Sequence, residues 1–266
     1  MLIILFKIDL DTNMRYQNYI EKLIDCLDNR DETYFVANQL LKLHQETKKR
    51  ENVIILELGV DRGQSTKVFL NAIDDKDKSR LISIDIRDCS ASASSDKWIF
   101  IQSDSTDENK IIENAPILKN GIDILYVDSL HTRAHVFKEI STFYKYMNKG
   151  SVIFFDDIDS YPYMKGQRKD NVGIEISNRK IKNLISEIFR ANINDLSLTT
   201  YFGSTGLARL DKRCDRGEKL KKPECIEVRN NKYFWNIYNK IMKKEKYNHD
   251  EVGESSFLID PLKFKE

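Results

Sequence analysis

Apolar positions along this chain follow two rhythms. Short runs rich in β-branched residues occur at 53–56, 81–84, 98–101, 122–127 and 151–155, and each is closed by polar residues. Between them lie segments whose apolar residues recur at three and four positions, such as Val68, Phe69, Leu70 and Ile73. The first rhythm predicts buried strands and the second amphipathic helices. Helices are expected after the glycine turn at 59–63, over 108–118, over 132–147 with Lys149-Gly150 as the stop, and over 177–191. Residues 196–202 and 207–210 read as a terminal antiparallel pair. Such alternation predicts an α/β fold, a Rossmann-like and mostly parallel sheet with helices on both faces.

The flanks break the alternation. Residues 1–12 predict an edge strand or arm, and 16–49 predict two helices broken near 29–32. Packing on the sheet is the expected role of these helices, with closure over a cofactor or contact between two copies as the other roles open to them. After Asp211 the chain turns basic: 212–222 is rich in lysine, and 233–246 reads as a basic helix carrying aromatic residues. The expected organisation is an N-terminal helical cap or arm at 1–50, a main domain at 51–211 and a basic extension at 212–266.

Composition narrows the picture only a little. A length of 266 residues has room for one large α/β domain with additions or for two small ones. A formal net charge of +1 gives no global attraction to nucleic acid. The four cysteines (Cys26, Cys89, Cys214, Cys225) form no C-x-x-C pair and read as reduced thiols of a cytoplasmic protein, with a Cys214–Cys225 bridge or metal pair as the alternative. The opening MLIILFKIDL is too short an apolar run to span a membrane and lacks the basic start of a signal peptide, so no membrane partner is expected.

Candidate chemistry gathers at the ends of the strand-like runs. The first leads through Glu57-Leu58-Gly59 and a polar turn holding Asp61 and Gly63 to a helix opening with Ser65 and Thr66. A glycine turn at a helix start is a common place to hold a nucleotide-like ligand. Its spacing is neither G-x-G-x-x-G nor that of a P-loop. The acid ahead of Gly59 suits a ligand with a cationic end, such as S-adenosylmethionine, better than a pyrophosphate. Asp85 closes the second run at 85 − 63 = 22 residues from Gly63, near the separation of about 20 at which an acid meets ribose hydroxyls. After the third run, Asp104 is placed to accept from an adenine amino group, although Asp107 shares that turn and is a candidate helix cap. Asp128 closes the fourth run, and Asp156 and Asp157 the fifth. Carboxylates thus collect at the end of the sheet where open α/β folds bind ligands. Asp128, Asp156 and Asp157 would repel one another unless protons or a hard cation such as Mg²⁺ intervened. His131, three residues after Asp128, is a candidate general base. His135 reads as structural. Residues 159–177 form a long loop with tyrosines and glycines, expected to act as a substrate lid.

Taken together, ELGVDRGQS, SIDI, IDILYVDSLH and GSVIFFDD resemble the class I S-adenosylmethionine-dependent methyltransferases. The resemblance covers about residues 50–210. It is closest to the branch containing the macrocin and mycinamicin sugar O-methyltransferases and the cephalosporin-biosynthesis protein that shares their fold. It implies a seven-stranded sheet, cofactor contacts from Glu57, Gly59, Asp61, Gly63, Ser65, Asp85, Asp104 and Asp128, Mg²⁺ held by Asp128, Asp156 and Asp157, and catalysis by His131 with Asp128. Two positions depart from the branch: Asp156 replaces a frequent Glu, and Ser129 replaces the usual glycine after Asp128. The activity implied is O-methylation of a small hydroxylated acceptor, such as a sugar or glycoside, by a protein that can assemble as a homo-oligomer. The alternatives are an RNA cap or ribose methyltransferase, whose Lys-Asp-Lys-Glu set is missing here, and a ligand-binding protein of this fold without turnover. A nicotinamide-dependent reductase fits poorly, because the third fingerprint glycine is missing.

Overall fold

The computed structural model describes residues 33–159, 161, 172–202 and 205–223. Seven strands, β1 (Ile54–Leu58), β2 (Arg80–Asp85), β3 (Trp98–Gln102), β4 (Ile122–Val127), β5 (Met147–Asp156), β6 (Leu196–Tyr201) and β7 (Leu207–Lys212), form one sheet in the order β3-β2-β1-β4-β5-β7-β6. Strands β1 to β5 pair in parallel, while β7 runs antiparallel to both β5 and β6. The strand order reverses between β1 and β4, the switch point at which open sheets of this kind bind ligands. The helices are α1 (Thr33–Lys48), α2 (Gln64–Ile73), α3 (Glu108–Asn114), α4 (Arg133–Phe143) and α5 (Val172–Ala191).

The apolar runs become strands because both faces of the sheet are covered, which is what permits continuous rather than alternating hydrophobicity. All five residues of β1 are buried. On one face Leu56, Leu58, Ile82 and Ile153 pack with Ile111, Ile140, Phe143, Leu184 and Ile188. On the other, Ile55, Tyr126 and Phe154 pack with Leu40, Leu43, Val68, Phe69 and Ile73. Among the described residues no helix is long and apolar enough to cross a membrane.

Four boundaries differ from the sequence reading. Helix α5 begins at Val172, ahead of the expected 177 and inside the expected lid. Helix α3 stops at Asn114 and gives way to a 3-10 turn, Pro116–Asn120, because a proline disfavours helical geometry in the residue before it. Lys149 and Gly150 do not stop a helix: α4 ends at Phe143, a 3-10 turn covers Tyr144–Tyr146, and both residues lie inside β5. Met147 is fully buried opposite Ile122, so the chain has already joined the sheet, and an irregularity between Ile122 and Ile124, with Gly150 at φ 80°, absorbs the extra residues. Lys212, expected to open the basic extension, is the last residue of β7. It is buried, and its ammonium donates to the carbonyls of Cys214 and Asp215. The expected edge strand at 1–12, the first N-terminal helix, most of the lid at 159–177, the basic helix at 233–246 and Cys225 lie outside the described residues. Cys89 and Cys214 are free thiols.

Candidate active site

The glycine turn is shaped by its neighbours before any ligand is considered. Gly59 sits at φ 97°, and a Cβ there would lie 2.0 Å from the carbonyl oxygen of Asp128. Glycine at this position therefore lets the ends of β1 and β4 close on each other, with Asp128 N donating to Leu58 O at 2.8 Å. A Cβ on Gly63 would meet the side chain of Ser92 at 2.8 Å.

Beneath the turn, Glu57 is wholly buried and accepts from the hydroxyls of Ser65 (2.5 Å), Thr66 (2.7 Å) and Ser83 (2.5 Å). Ser83 in turn accepts from the Trp98 indole at 2.9 Å. These bonds clamp β1, β2 and α2 together. Burial pushes the Glu57 carboxyl up to about 7 against the pull of its three hydroxyls, with the Asp128 charge adding to the rise. Ser65 and Thr66, expected to serve free N–H groups at the helix start, serve Glu57 instead, and the N-cap is Gly63 without a side-chain bond. Glu57, Gly63 and Ser65 are buried and do not line the cavity at the turn.

That cavity, of about 420 Å³, is lined by Gly59, Asp61, Asp85, Asp104, Asp128 and His135 among others. Its size lies in the range of small-molecule sites, roughly 300–1,000 Å³. Asp85 Oδ2 accepts from the backbone N–H groups of Val60 (2.9 Å) and Asp61 (3.1 Å), and Oδ1 from that of Arg87 (2.9 Å). Burial raises the Asp85 carboxyl, but those N–H groups and the Arg87 charge outweigh it, so its pKa lies below the ordinary value. Asp104 Oδ1 accepts from the N–H and hydroxyl of Thr106, at 2.8 and 2.7 Å. Asp107 caps α3 through Lys110 N, and of the two acids in that turn it is Asp104 that lines the cavity.

The second cluster stands at the ends of β4 and β5. Tyr126, 1% exposed, directs its hydroxyl at Asp156 Oδ2 (2.8 Å) and Asp128 Oδ2 (3.2 Å), joining the two carboxylates. Asp156 Oδ1 accepts from Asp157 N at 2.8 Å, and Asp157 takes a left-handed backbone, φ 55°. His131 Nε2 lies 3.4 Å from Asp128 Oδ1, an ion-pair distance without hydrogen-bond geometry. Desolvation raises Asp156, and the Asp128 and Asp157 charges raise it further. Asp128 is also raised, again by desolvation first. Desolvation works against a charge on His131, yet Asp128, Asp157 and Asp156 together push it up to about 9.

A hard divalent ion fits the chemistry of this donor set, since three crowded carboxylates are stabilised by a cation. Two of them are already held as a pair by Tyr126. Among the described residues no three His, Cys, Asp or Glu side chains stand in a preassembled metal arrangement, so the three aspartates would have to draw together around an ion.

A third polar cluster went unread in the sequence. Glu139, fully buried on α4, accepts at Oε1 from Ser105 and from Ser129 (2.5 Å) and lies at an ion-pair distance of 3.2 Å from His135 Nε2, and Ser105 Oγ lies 2.9 Å from the same ring nitrogen. The available signal was spacing: His135 and Glu139 stand four apart and share a helix face. Ser129, noted only as a departure from glycine, is a working member of this network.

Residues 56–158 match a family model described as a methyltransferase domain. The sheet order and its antiparallel seventh strand are those of the methyltransferase fold. Among solved structures, an O-methyltransferase from Bacillus cereus in complex with SAH is 14% identical, with a TM-score of 0.50 over 77% of this chain and 94% of that one. A mycinamycin-pathway methyltransferase in complex with Mg and SAH is 19% identical, with a TM-score of 0.46 over 68% of this chain and 50% of that one. An uncharacterized protein of Acanthamoeba polyphaga mimivirus is 48% identical over 44 residues, 16% of this chain and 20% of the viral protein. The chain therefore spans half the length of the mycinamycin-pathway enzyme and a fifth of the viral relative.

Proposed function

We propose that this chain is an S-adenosylmethionine-dependent O-methyltransferase that acts, with the help of a divalent cation, on a hydroxyl of a small molecule such as a sugar or glycoside. The observation that carries the reading is a single cavity joining the glycine turn, Asp85 and Asp104 to Asp128, the acid shared with the second cluster. The methyltransferase match over 56–158 supports the cofactor class.

In this reading Gly59, Asp61, Asp85 and Asp104 hold the cofactor. Asp85 remains ionised under the N–H groups of the turn, and Asp104 keeps Oδ2 for an exocyclic amine. Asp128, Asp156 and Asp157 would hold Mg²⁺. When bound, the cofactor supplies a methyl group already activated by its sulfonium, and the ion supplies charge that lowers the pKa of an acceptor hydroxyl. The residues have three tasks: to align the acceptor, to take its proton and to exclude water. His131 is the base. Its imidazole becomes an acceptor near neutral pH only once the aspartate charge around it is neutralised, which ties proton removal to an occupied acid cluster. Leu130, 60% exposed and lining the cavity, would help to shield the reacting atoms.

Calorimetric titration with S-adenosylhomocysteine, with and without Mg²⁺, tests the reading. Micromolar binding is the expected result, followed by methyl transfer to hydroxylated acceptors. No heat in either condition removes it.

A further inference from the structure

The cavity has one wall whose chemistry the proposed reaction does not use. His135 and Ser105 both line it, beside Asp104. The His135 ring is held from behind: Nε2 faces Ser105 Oγ at 2.9 Å and Glu139 Oε1 at 3.2 Å, while Ser105 Oγ donates to Glu139. Since that hydroxyl hydrogen goes to Glu139, the hydrogen between Nε2 and its two oxygen neighbours belongs to the imidazole. Glu139 also takes the Ser129 hydroxyl, so the end of β3, the loop after β4 and the first turn of α4 are tied to one buried carboxylate. A ring anchored in this way has a fixed orientation, and no described residue bonds its second nitrogen, Nδ1. Asp104 is similar, with Oδ1 committed to Thr106 and Oδ2 uncommitted. With Nε2 already carrying a hydrogen, Nδ1 donates only in the imidazolium, the form that the Glu139 carboxylate at 3.2 Å and the Asp104 charge both favour, and His135 in turn favours the ionised Asp104 carboxyl. Ile86, 71% exposed, and Leu130 give the same cavity apolar surface of the kind a flat heteroaromatic ring covers.

We propose that His135 is a specificity-determining residue that reads a purine together with Asp104: Asp104 Oδ2 accepts from the exocyclic amine, and His135 Nδ1–H donates to a ring nitrogen beside it. The inference rests on the methyltransferase reading for the identity of the ligand, adenine being the purine of that cofactor. It deepens that reading by assigning base selectivity to a side chain on α4. The two hydrogen bonds have opposite polarity, as an amino group next to a ring nitrogen requires. A hypoxanthine edge presents the reverse pattern and would leave both groups mismatched.

The test changes the ligand one atom at a time. Wild-type protein, His135→Ala and His135→Gln are titrated with S-adenosylhomocysteine and with its 1-deaza, 3-deaza and 7-deaza analogues, each of which replaces one ring nitrogen by CH. Gln can still donate to Ser105 or Glu139, so it preserves the wall but has no second ring nitrogen. Wild type is expected to lose about tenfold in affinity for the 1-deaza or the 7-deaza analogue and little for the 3-deaza one, the loss of one charge-assisted hydrogen bond. In both variants the parent and that analogue are expected to bind equally. A structural role alone would weaken every ligand by the same factor and leave the ratios unchanged. Equal binding of all four ligands by wild type overturns the inference while leaving the methyltransferase reading standing, as does a ratio that survives in both variants. Failure of wild type to bind the parent ligand removes both.

Discussion

Glu57 on β1 and Asp156 on β5 are both acids pushed toward the protonated form, yet they are built on opposite plans. Glu57 is a single carboxyl, fully buried, with three hydroxyl donors supplied by β2 and α2. Asp156 belongs to a group of three aspartates, open on one side, which share one phenol and one backbone N–H. In the first place the donors outnumber the charge, and the result is a clamp. In the second the charges outnumber the donors, and the result is a cluster short of a cation or a proton. A carboxylate in a satisfied pocket holds structure, whereas crowded and under-satisfied carboxylates are where chemistry is to be sought. The two plans also touch, since the Asp128 charge contributes to the rise at Glu57.

The largest effect that would break this contrast is catalytic. His131→Ala is expected to lower turnover by about 10²–10⁴-fold, the usual worth of a positioned general base, with S-adenosylhomocysteine binding retained. Asp156→Asn is expected to fall in the same range and to lose any response to Mg²⁺, while its melting temperature holds or rises because a repulsion has been relieved. Turnover assays with and without chelator, beside calorimetry, read both. Full activity of Asp156→Asn in chelator would end the metal reading and leave the cluster a proton-sharing one.

A smaller effect sharpens the other side. Glu57 has a folded-state pKa of about 7 against an ordinary 4.5, so the folded state keeps its proton longer than the unfolded chain. Its contribution to stability is present at low pH and is lost as pH rises from about 4.5 to about 7. His44, buried beside Asn71 and lowered to about 4, works the other way, its contribution being lost as pH falls from 6.5 toward 4. The two windows overlap, so wild type hides both slopes. The stability difference between Glu57→Gln and wild type should change by about 3 kcal/mol between pH 4.5 and 7.5, in favour of the variant at the higher pH. Urea titrations at several pH values measure it, and a difference that stays constant across that range would refute the assignment.

The contrast between the clusters also marks how far the sequence could be read. Strand identity was legible because β1 to β5 are short apolar runs, and the collection of Asp85, Asp104 and Asp128 on one cavity followed from their places at strand ends. What a side chain does once it arrives was not legible. Glu57 and Ser65 look like ligand contacts in a linear motif, yet one faces the other behind the turn because β1 alternates its side chains across the sheet and α2 closes over that face. Gly59 reads as room for a ligand and does line the cavity, but the sequence could not show that its Cβ position is taken by the backbone of Asp128, 69 residues away (128 − 59). Tyr126 was hidden because a tyrosine inside an apolar strand reads as core. Its ring does pack against Phe69, with centroids 5.8 Å apart, and only its hydroxyl reaches the acids. Glu139 was hidden for a related reason: its partners Ser105 and Ser129 come from other elements.

Tyr126→Phe tests the contrast at its finest point, because it keeps the ring against Phe69 and removes only the shared donor. If the hydroxyl merely fills space, nothing should change. If it holds Asp128 and Asp156 at a spacing suited to a cation, its removal lets the two carboxylates separate. The hydroxyl is a dependable donor: burial and the charges of Asp128 and Asp156 raise its pKa well above the ordinary value, so it stays protonated. The expected loss of stability is about 1 kcal/mol, the usual net worth of one hydrogen bond. The expected loss of Mn²⁺ affinity, read by electron paramagnetic resonance titration with Mn²⁺ as the probe for Mg²⁺, is several-fold, since the ion would then have to order the pair itself. S-adenosylhomocysteine affinity should not move, because neither Tyr126 nor Asp156 lines that cavity. An unchanged Mn²⁺ titration together with unchanged stability would mean that the carboxylates are held apart by the sheet alone, and that the strand ends rather than the phenol set the geometry of the site.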